Sequence, residues 1–136
     1  MAKKKKNEIQ FEIEFFERLL ERNPDFIDAL IPLAELYTKS GNYQHGLLLD
    51  QRLAELKPED AVVHYNMACS YALLGRRDEG FASLKRAIAL GYDDFIYMDS
   101  DPDLVSLRTD QRYRMLVSEV VKKKKELRHG MDARNG

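Results

Sequence analysis

A 34-residue offset links residues across most of the chain and limits its fold more than any other feature. Leu33-Ala34-x-x-Tyr37-x-x-x-Gly41 recurs as Met67-Ala68-x-x-Tyr71-x-x-x-Gly75, and the same offset links Pro24 to Pro58, Gly46 to Gly80, and Arg18 to Arg52 and Arg86. A period of about 34 residues that spans two helical stretches is typical of helical solenoids. Stacked repeats present an extended surface, so the pattern favours a binding protein over an enzyme.

The spacing of apolar residues predicts a helix in each half of the repeat, ended by glycine or proline. The predicted helices cover about 8–22, 25–39, 43–56, 60–74 and 77–90. The connections between them are short, which favours antiparallel neighbours. Pro32 lies inside the second helix, where its missing backbone N–H is expected to bend the helix or move its start later.

The repeat pattern stops after Gly91. Residues 93–100 predict a brief acidic turn of helix, followed by a helix start at Asp101-Pro102, where aspartate caps and proline occupies the first helical position. Leu104 and Leu107 give this short helix a buried side. Asp110 is predicted to cap a last long helix, whose apolar stripe fades beyond residue 122.

These residues resemble the tetratricopeptide repeat family over roughly 10–121. Two full copies match, at about 27–60 and 61–94, and the first helix is similar to the second half of a preceding repeat. The segment from Leu90 to Leu116 resembles the end-of-group segment that closes some bacterial arrays, except at Gln111, where proline is common. The resemblance implies an all-α solenoid of antiparallel helix hairpins that binds other proteins and has no enzymatic activity.

Five positions depart from the family pattern, and one of them is Tyr92, which stands where the family has proline. His64 and Asp50 stand where the family often has aromatic residues, and Gly46 and Gly80 stand where it has alanine. The acidic side chain at position 50 leaves the local packing there open.

Length and charge predict a single domain with basic ends. A chain of 136 residues suits one domain, and we expect it to cover 8–128, with the end-of-group cap at about 95–125. The body from 7 to 121 carries 12 basic and 21 acidic residues, a net charge of −9. The basic segment 1–7 and the tail 129–136 are predicted to be disordered.

Composition also bears on location. Cys69 is the only cysteine, so no internal disulfide can form and a reducing compartment is favoured. No apolar run approaches the roughly 18 residues of a membrane span. The sequence therefore predicts a cytoplasmic protein, and the end-of-group resemblance a bacterial one.

Catalytic and metal-binding patterns are not found in the sequence. The three histidines are scattered, and His64 and Cys69 would lie about 140° apart around a helix, a poor arrangement for a thiolate–imidazole pair. The aspartates between 93 and 103 lack the glutamate that usually completes a calcium loop. We therefore predict no catalytic residue, metal, cofactor or small-molecule substrate.

The resemblance also implies a peptide-binding groove on the concave face, formed by the first helix of each repeat. The implied residues are Asp28, Ile31, Glu35, Thr38, Val62, Tyr65, Asn66, Cys69 and Ala72. Asn66 matches a residue that often bonds a bound peptide's backbone, whereas the basic residues that clamp carboxylates are missing. Asp28 and Glu35 would repel an anionic peptide, so the groove is expected to prefer an apolar or basic segment. The alternative is that these residues form only a solvated helix face.

A second interpretation assigns function to the basic ends. Lys3–Lys6 and Lys122–Lys125 could serve a chaperone-like factor, or one that binds nucleic acid or membranes. Aromatic residues do not alternate with either lysine run, so base stacking is not indicated and nucleic acid is disfavoured. Self-association as a homodimer through the first helix, at Ile9, Ile13 and Phe16, is also left open.

Overall fold

The computed structural model describes the chain from residue 2 to residue 135, and the side chains from residue 5 to residue 130. Within that range the regular elements are all helical: α1 Ala2–Arg22, α2 Ile27–Lys39, α3 Tyr43–Leu56, α4 Ala61–Leu73, α5 Arg77–Ala89, α6 Phe95–Ser100, a 3-10 turn Pro102–Leu104, α7 Val105–Arg108 and α8 Gln111–Asn135. The predicted all-α solenoid of helix hairpins is confirmed.

Consecutive helices are neighbours along the stack. Contacts join α1 to α2, α2 to α3, α3 to α4 and α4 to α5, as antiparallel hairpins require. The end segment then folds back, because the 3-10 turn and α7 also contact α4, and α8 packs on α7 and α5. Helix α4 is therefore the centre of the molecule.

Glycines close three of the helices in the same way. Gly41, Gly75 and Gly91 have φ of 83°, 75° and 109°, the left-handed conformation predicted for helix ends. The next backbone N–H in each case bonds back to the carbonyl five residues earlier: Asn42 to Tyr37 at 2.8 Å, Arg76 to Tyr71 at 2.9 Å and Tyr92 to Ala87 at 2.9 Å. The three helices therefore end with the same hydrogen-bonded closure.

Aspartates cap several of the helix starts, and at two of them, Asp101 and Asp110, the sequence predicted the cap. The Asp60 carboxylate accepts from the backbone N–H groups of Val62 and Val63, at 3.0 and 3.2 Å. Asp101 accepts from the backbone of the 3-10 turn, and Asp110 from that of α8. In α2, the start moves to Ile27 and Pro32 lies inside the helix.

The two repeats place equivalent residues in equivalent contacts. Tyr37 of α2 lies beside Glu17 of α1, and burial followed by this carboxylate raises the tyrosine pKa. Tyr71 of α4 accepts a hydrogen bond from Gln51 of α3, at 3.1 Å. Residues 17 and 51 are themselves 34 apart, so tyrosine and partner shift together by one repeat.

The glycines that replace alanine lie where helices cross closely. A β-carbon at Gly46 would lie 3.2 Å from the Thr38 hydroxyl oxygen, and one at Gly80 would lie 3.2 and 3.3 Å from the two methyl groups of Leu107. Both glycines are buried. Their absence of a side chain lets α3 approach α2 and lets α5 approach α7.

The ends of the chain differ in extent from the prediction. Helix α1 begins at Ala2 and so includes most of the basic segment 1–7, and α8 continues through residues 129–135. Side chains at 5–8 and 121–130 are exposed. Disorder at 1–7 and 129–136 stays a prediction, which amide exchange would test.

Candidate functional site

A groove of about 450 Å³ crosses the centre of the solenoid, where α2, α4 and the end segment face one another. One wall comes from α2, the floor and middle from α4, and the far end from residues 92–103. These three stretches line the groove because α4 packs between the first repeat and the returning end segment.

Seven of the nine groove residues implied by the resemblance line this one cavity: Ile31, Glu35, Thr38, Val62, Tyr65, Asn66 and Cys69. The other two lie outside its lining. Asp28 is exposed near the start of α2, and Ala72 is buried where its carbonyl accepts a 2.8 Å hydrogen bond from the Ser106 hydroxyl. Binding of a ligand by these seven residues is still a prediction.

Sequence reasoning missed the far end of the groove. Tyr92, Tyr97, Asp101 and Asp103 line it, although they lie in the non-repeating segment. The sequence predicted that Asp101 caps the following helix, and its carboxylate does so. The same carboxylate also lines the groove, which the sequence did not predict. The only available signal was the density of aspartate and tyrosine between 92 and 103.

Asp101 is the most buried acidic group at this end, with 3% of its surface exposed. One carboxylate oxygen accepts from the Tyr65 hydroxyl at 2.7 Å and from the Cys69 thiol at 3.6 Å. The other accepts from the backbone N–H of Asp103 at 3.0 Å. Neutral donors therefore satisfy its hydrogen bonds.

Three tyrosines surround this carboxylate. The rings of Tyr65 and Tyr92 are stacked, with centroids 4.1 Å apart and planes 7° from parallel. The Tyr97 ring lies 6.4 Å from Tyr65 at 49°, and about half of its surface is exposed. The far end is thus aromatic as well as acidic.

Burial and the Asp101 charge shift the pKa values of these neighbours in one direction. Burial, then the hydrogen bond to Asp101, raises the pKa of Tyr65. Burial, then the charge of Asp101, raises the pKa of the Cys69 thiol. The thiol therefore stays protonated at neutral pH, which makes it a poor nucleophile.

Cys69, Asp101 and Asp103 also have the chemistry of metal ligands. Their ligand atoms lie within 4.8 Å of one another, in the segment where the sequence predicted no metal. A bound ion would require the Cys69 thiolate, since metal binding is coupled to loss of the thiol proton. The raised pKa of Cys69 opposes that step, and the Asp101 carboxylate already accepts hydrogen bonds from three neutral donors.

Asp50 lies in the groove lining beside α4, with 4% of its surface exposed. The Ser70 hydroxyl donates to its carboxylate at 2.5 Å. Burial raises the pKa of Asp50 to about 7, and the Ser70 hydrogen bond offsets only part of that shift. Asp50, which stands where the family often has an aromatic residue, is therefore buried with a hydrogen bond from Ser70.

The charge of the groove is strongly unbalanced. Its acidic lining residues are Glu35, Asp50, Asp60, Asp101 and Asp103, and its basic one is Lys39. Such a lining attracts cationic groups and repels carboxylates.

Curated relatives match most of this chain but only a small part of their own length. The chain is 31% identical over 106 residues to a chloroplastic protein of Arabidopsis thaliana, covering 76% of this chain and 30% of that protein. It is 28% identical over 102 residues to the peroxisomal targeting signal receptor of Pichia angusta, covering 74% of this chain and 17% of the receptor. The receptor of Candida albicans is 30% identical over 81 residues, or 60% of this chain and 14% of that protein.

No protein-family profile matches the chain. The relatives come from a plant and from yeasts, and so give no support to the predicted bacterial origin. They include a chloroplast protein and peroxisomal receptors, which likewise leave the predicted cytoplasmic location without support. In the part of the chain that the structure describes, no helix is both long and apolar enough to cross a membrane. The comparisons thus relate this helical solenoid to a segment of larger proteins, among them receptors.

Proposed function

We propose that this chain is a tetratricopeptide-type interaction module that holds a basic, partly apolar segment of a partner protein in its central groove. The observation that carries the proposal is the groove itself, where five acidic residues and one lysine share a lining with Ile31 and Val62. A cationic segment gains attraction from the ionised carboxylates of this lining, although Asp50, with a pKa of about 7, carries only part of a charge at neutral pH. Apolar side chains of the segment gain contact with Ile31 and Val62.

The periodicity of the side-chain contacts supports the repeat family. Tyr37 with Glu17 and Tyr71 with Gln51 are the same contact one repeat apart, and the glycine closures recur at each corner. The likeness to receptors of a targeting signal supports recognition of a polypeptide segment.

The chemistry of the groove supports a non-catalytic role. Cys69 is the one nucleophilic thiol, and both its burial and the adjacent Asp101 disfavour the thiolate. No histidine lines the described groove, so no imidazole base stands beside that thiol. The module therefore works by holding its partner, and the predicted cytoplasmic location suits an unpaired thiol.

Titration with short peptides, followed by NMR of the backbone amides, tests the proposal. A lysine-rich peptide should shift amides around Glu35, Asn66 and Tyr97, whereas a glutamate-rich peptide of equal length should not. The Glu35→Gln variant should weaken the basic peptide about threefold, because one of the groove's charges is lost. Glu21→Gln, which removes an exposed charge outside the groove, serves as the matched control.

The basic ends offer a different route to binding, and one deletion separates the two. A variant that lacks residues 1–6 and 122–136 should keep its affinity for the basic peptide. Amide shifts confined to α1 or to the lysine-rich end of α8, or binding that disappears with the deletion, would contradict the groove assignment. Light scattering of the same samples reports whether α1 forms a homodimer.

A further inference from the structure

We propose that the far end of the groove is a subsite for one lysine or arginine side chain, formed by Tyr65, Tyr92, Tyr97, Asp101 and Asp103. The inference rests on the proposed function, since it names the residue of the bound segment that the end of the groove would select. It also gives the non-repeating segment a recognition role besides closing the solenoid.

The aromatic geometry leaves one surface for a cation. Tyr92 covers one face of Tyr65, because the two rings stack at 4.1 Å. Tyr97 is inclined at 49° to Tyr65, with centroids 6.4 Å apart, and is half-exposed at the groove mouth. An ammonium or guanidinium group within about 6 Å of such a ring is attracted to its face.

The carboxyl groups at this end take no part in ion pairs with the side chains that the structure describes. Those ion pairs involve neither Asp101 nor Asp103. Arg108 is nearby, but its guanidinium donates to the backbone carbonyls of Met98 and Asp101, at 3.0 and 2.5 Å. An incoming cationic side chain would therefore supply a charge that none of the described side chains provides.

The pKa shifts of Tyr97 and Asp103 are consistent with a negatively charged end of the groove. The charge of Asp101, followed by burial, raises the pKa of Tyr97. Burial, followed by the charge of Asp101, raises the pKa of Asp103. Both shifts have the direction expected beside a neighbouring carboxyl group.

A side-chain cation fits these residues better than a metal ion does. The three candidate metal ligands include Cys69, whose thiol would have to lose a proton that burial and Asp101 help it to keep. A lysine ammonium requires no such loss, and it uses the tyrosine faces, which contribute nothing to coordination of an ion.

Two peptides that differ at one position test the subsite. The two peptides are otherwise identical. The first has lysine at its central position. The second has norleucine there, which keeps the aliphatic part of the lysine side chain and removes its charge. Calorimetry with the full chain should give about tenfold tighter binding of the lysine peptide, the size expected for a partly desolvated cation beside aromatic rings and carboxylates. Asp103→Asn and Tyr97→Leu should each reduce that ratio to about threefold or less, while Asp93→Asn, which removes an exposed charge outside the lining, should leave it unchanged.

The outcomes separate this inference from the proposed function. If neither peptide binds, the groove proposal fails and the subsite with it. If both bind equally, or if the lysine preference survives Asp103→Asn, the groove stands and the subsite is wrong. Titration with Zn²⁺ completes the test: micromolar binding that displaces the lysine peptide and is lost in Cys69→Ser would replace the side-chain assignment with a metal site. Circular dichroism confirms that each variant folds, and Asp103→Asn decides the matter should Tyr97→Leu fail to fold.

Discussion

The two repeats carry the same pattern of glycine and tyrosine, but their cores are built differently at one equivalent pair of positions. In the first repeat, Asp50 is buried against Ser70. One repeat later the equivalent residues are Leu84 and Leu104, both fully buried in the largest hydrophobic cluster of the described chain. A polar pair and an apolar pair therefore occupy the same place in one architecture.

The difference follows from what covers each repeat. The second repeat is closed by the 3-10 turn, α7 and α8, which bring Met98, Leu104, Leu107 and Leu116 onto α4 and α5. The first repeat lies between α1 and α4, and its core divides into two smaller clusters around Leu33 and Leu30. The larger apolar core therefore forms on the side of α4 and α5 where the end segment adds a further layer of helix.

Placing an aspartate in the second repeat, at the position equivalent to Asp50, should have the largest effect on stability. Leu84→Asp places a carboxylate in the largest hydrophobic cluster, where the residue equivalent to Ser70 is Leu104 and cannot donate a hydrogen bond. We expect a loss of about 5 kcal/mol in the free energy of unfolding, since a buried charge is left unpaired and apolar contacts are lost. Urea denaturation measures the loss, and Leu84→Ala, at about 3 kcal/mol, is the control for the lost contacts. Equal losses in the two variants would mean that water reaches the site.

Removing the acidic residue from the first repeat should change the pH dependence of stability. Because the folded-state pKa of Asp50 is raised to about 7, the folded protein binds its proton more tightly than the unfolded chain. The stability from this group is present at low pH and is lost as pH rises through about 7. The wild type should therefore lose about 2 kcal/mol of this contribution between about pH 5 and pH 8, and Asp50→Asn should not. The free energy of unfolding of the variant minus that of the wild type should rise by the same amount over that range. Denaturation at several pH values measures that difference.

The contribution of Asp50 is read from the difference between variant and wild type, because other groups act in the opposite direction. Hydrogen bonds from Arg112 lower the pKa of Asp110 to about 2, which favours the fold above that pH. A parallel pH dependence of Asp50→Asn and the wild type would contradict the burial of the Asp50 charge.

Replacing the two equivalent glycines, Gly46 and Gly80, by alanine should change the free energy of unfolding by smaller and unequal amounts. Alanine gains helix propensity of about 1 kcal/mol at either position. At Gly80, however, its β-carbon meets two methyl groups of the fully buried Leu107, whereas at Gly46 it meets one hydroxyl of the half-buried Thr38. We expect Gly80→Ala to lower the free energy of unfolding by about 1 kcal/mol and Gly46→Ala to leave it nearly unchanged. Thermal or urea denaturation compares the two, and the reverse order would show that the end segment yields more easily than α2.

Truncation at the end of α8 should have the smallest effect on stability. Removing residues 122–136 should change the free energy of unfolding by less than about 0.5 kcal/mol, because the side chains from 121 to 130 are exposed. One contact is lost, that of the Lys124 ammonium with the Phe95 ring at 4.8 Å. Amide exchange should show little protection in this stretch, and strong protection there would contradict the predicted disorder of the tail.

Local patterns were enough to predict most of the fold. The apolar spacing placed the helices to within a few residues, and Gly41, Gly75 and Gly91 fixed the corners because a left-handed residue is needed there. Caps such as Asp101 act over two or three residues and are equally recognisable in the sequence. Boundaries at the two ends were less predictable, since the extent of an exposed helix does not depend on a packed partner.

The groove was predictable only in its repeating part. The positions on α2 and α4 follow from the period, and seven of those nine residues line the cavity, whereas α7 covers Ala72. Tyr92, Tyr97 and Asp101 reach the same cavity because the end segment turns back over α4, a contact between residues more than 20 positions apart. The sequence by itself determined helices, corners and stacking order, because these depend on interactions within a few residues. Only the tertiary structure decided that Asp50 is buried and that tyrosines and aspartates converge, because both depend on which distant side chains fill the remaining space.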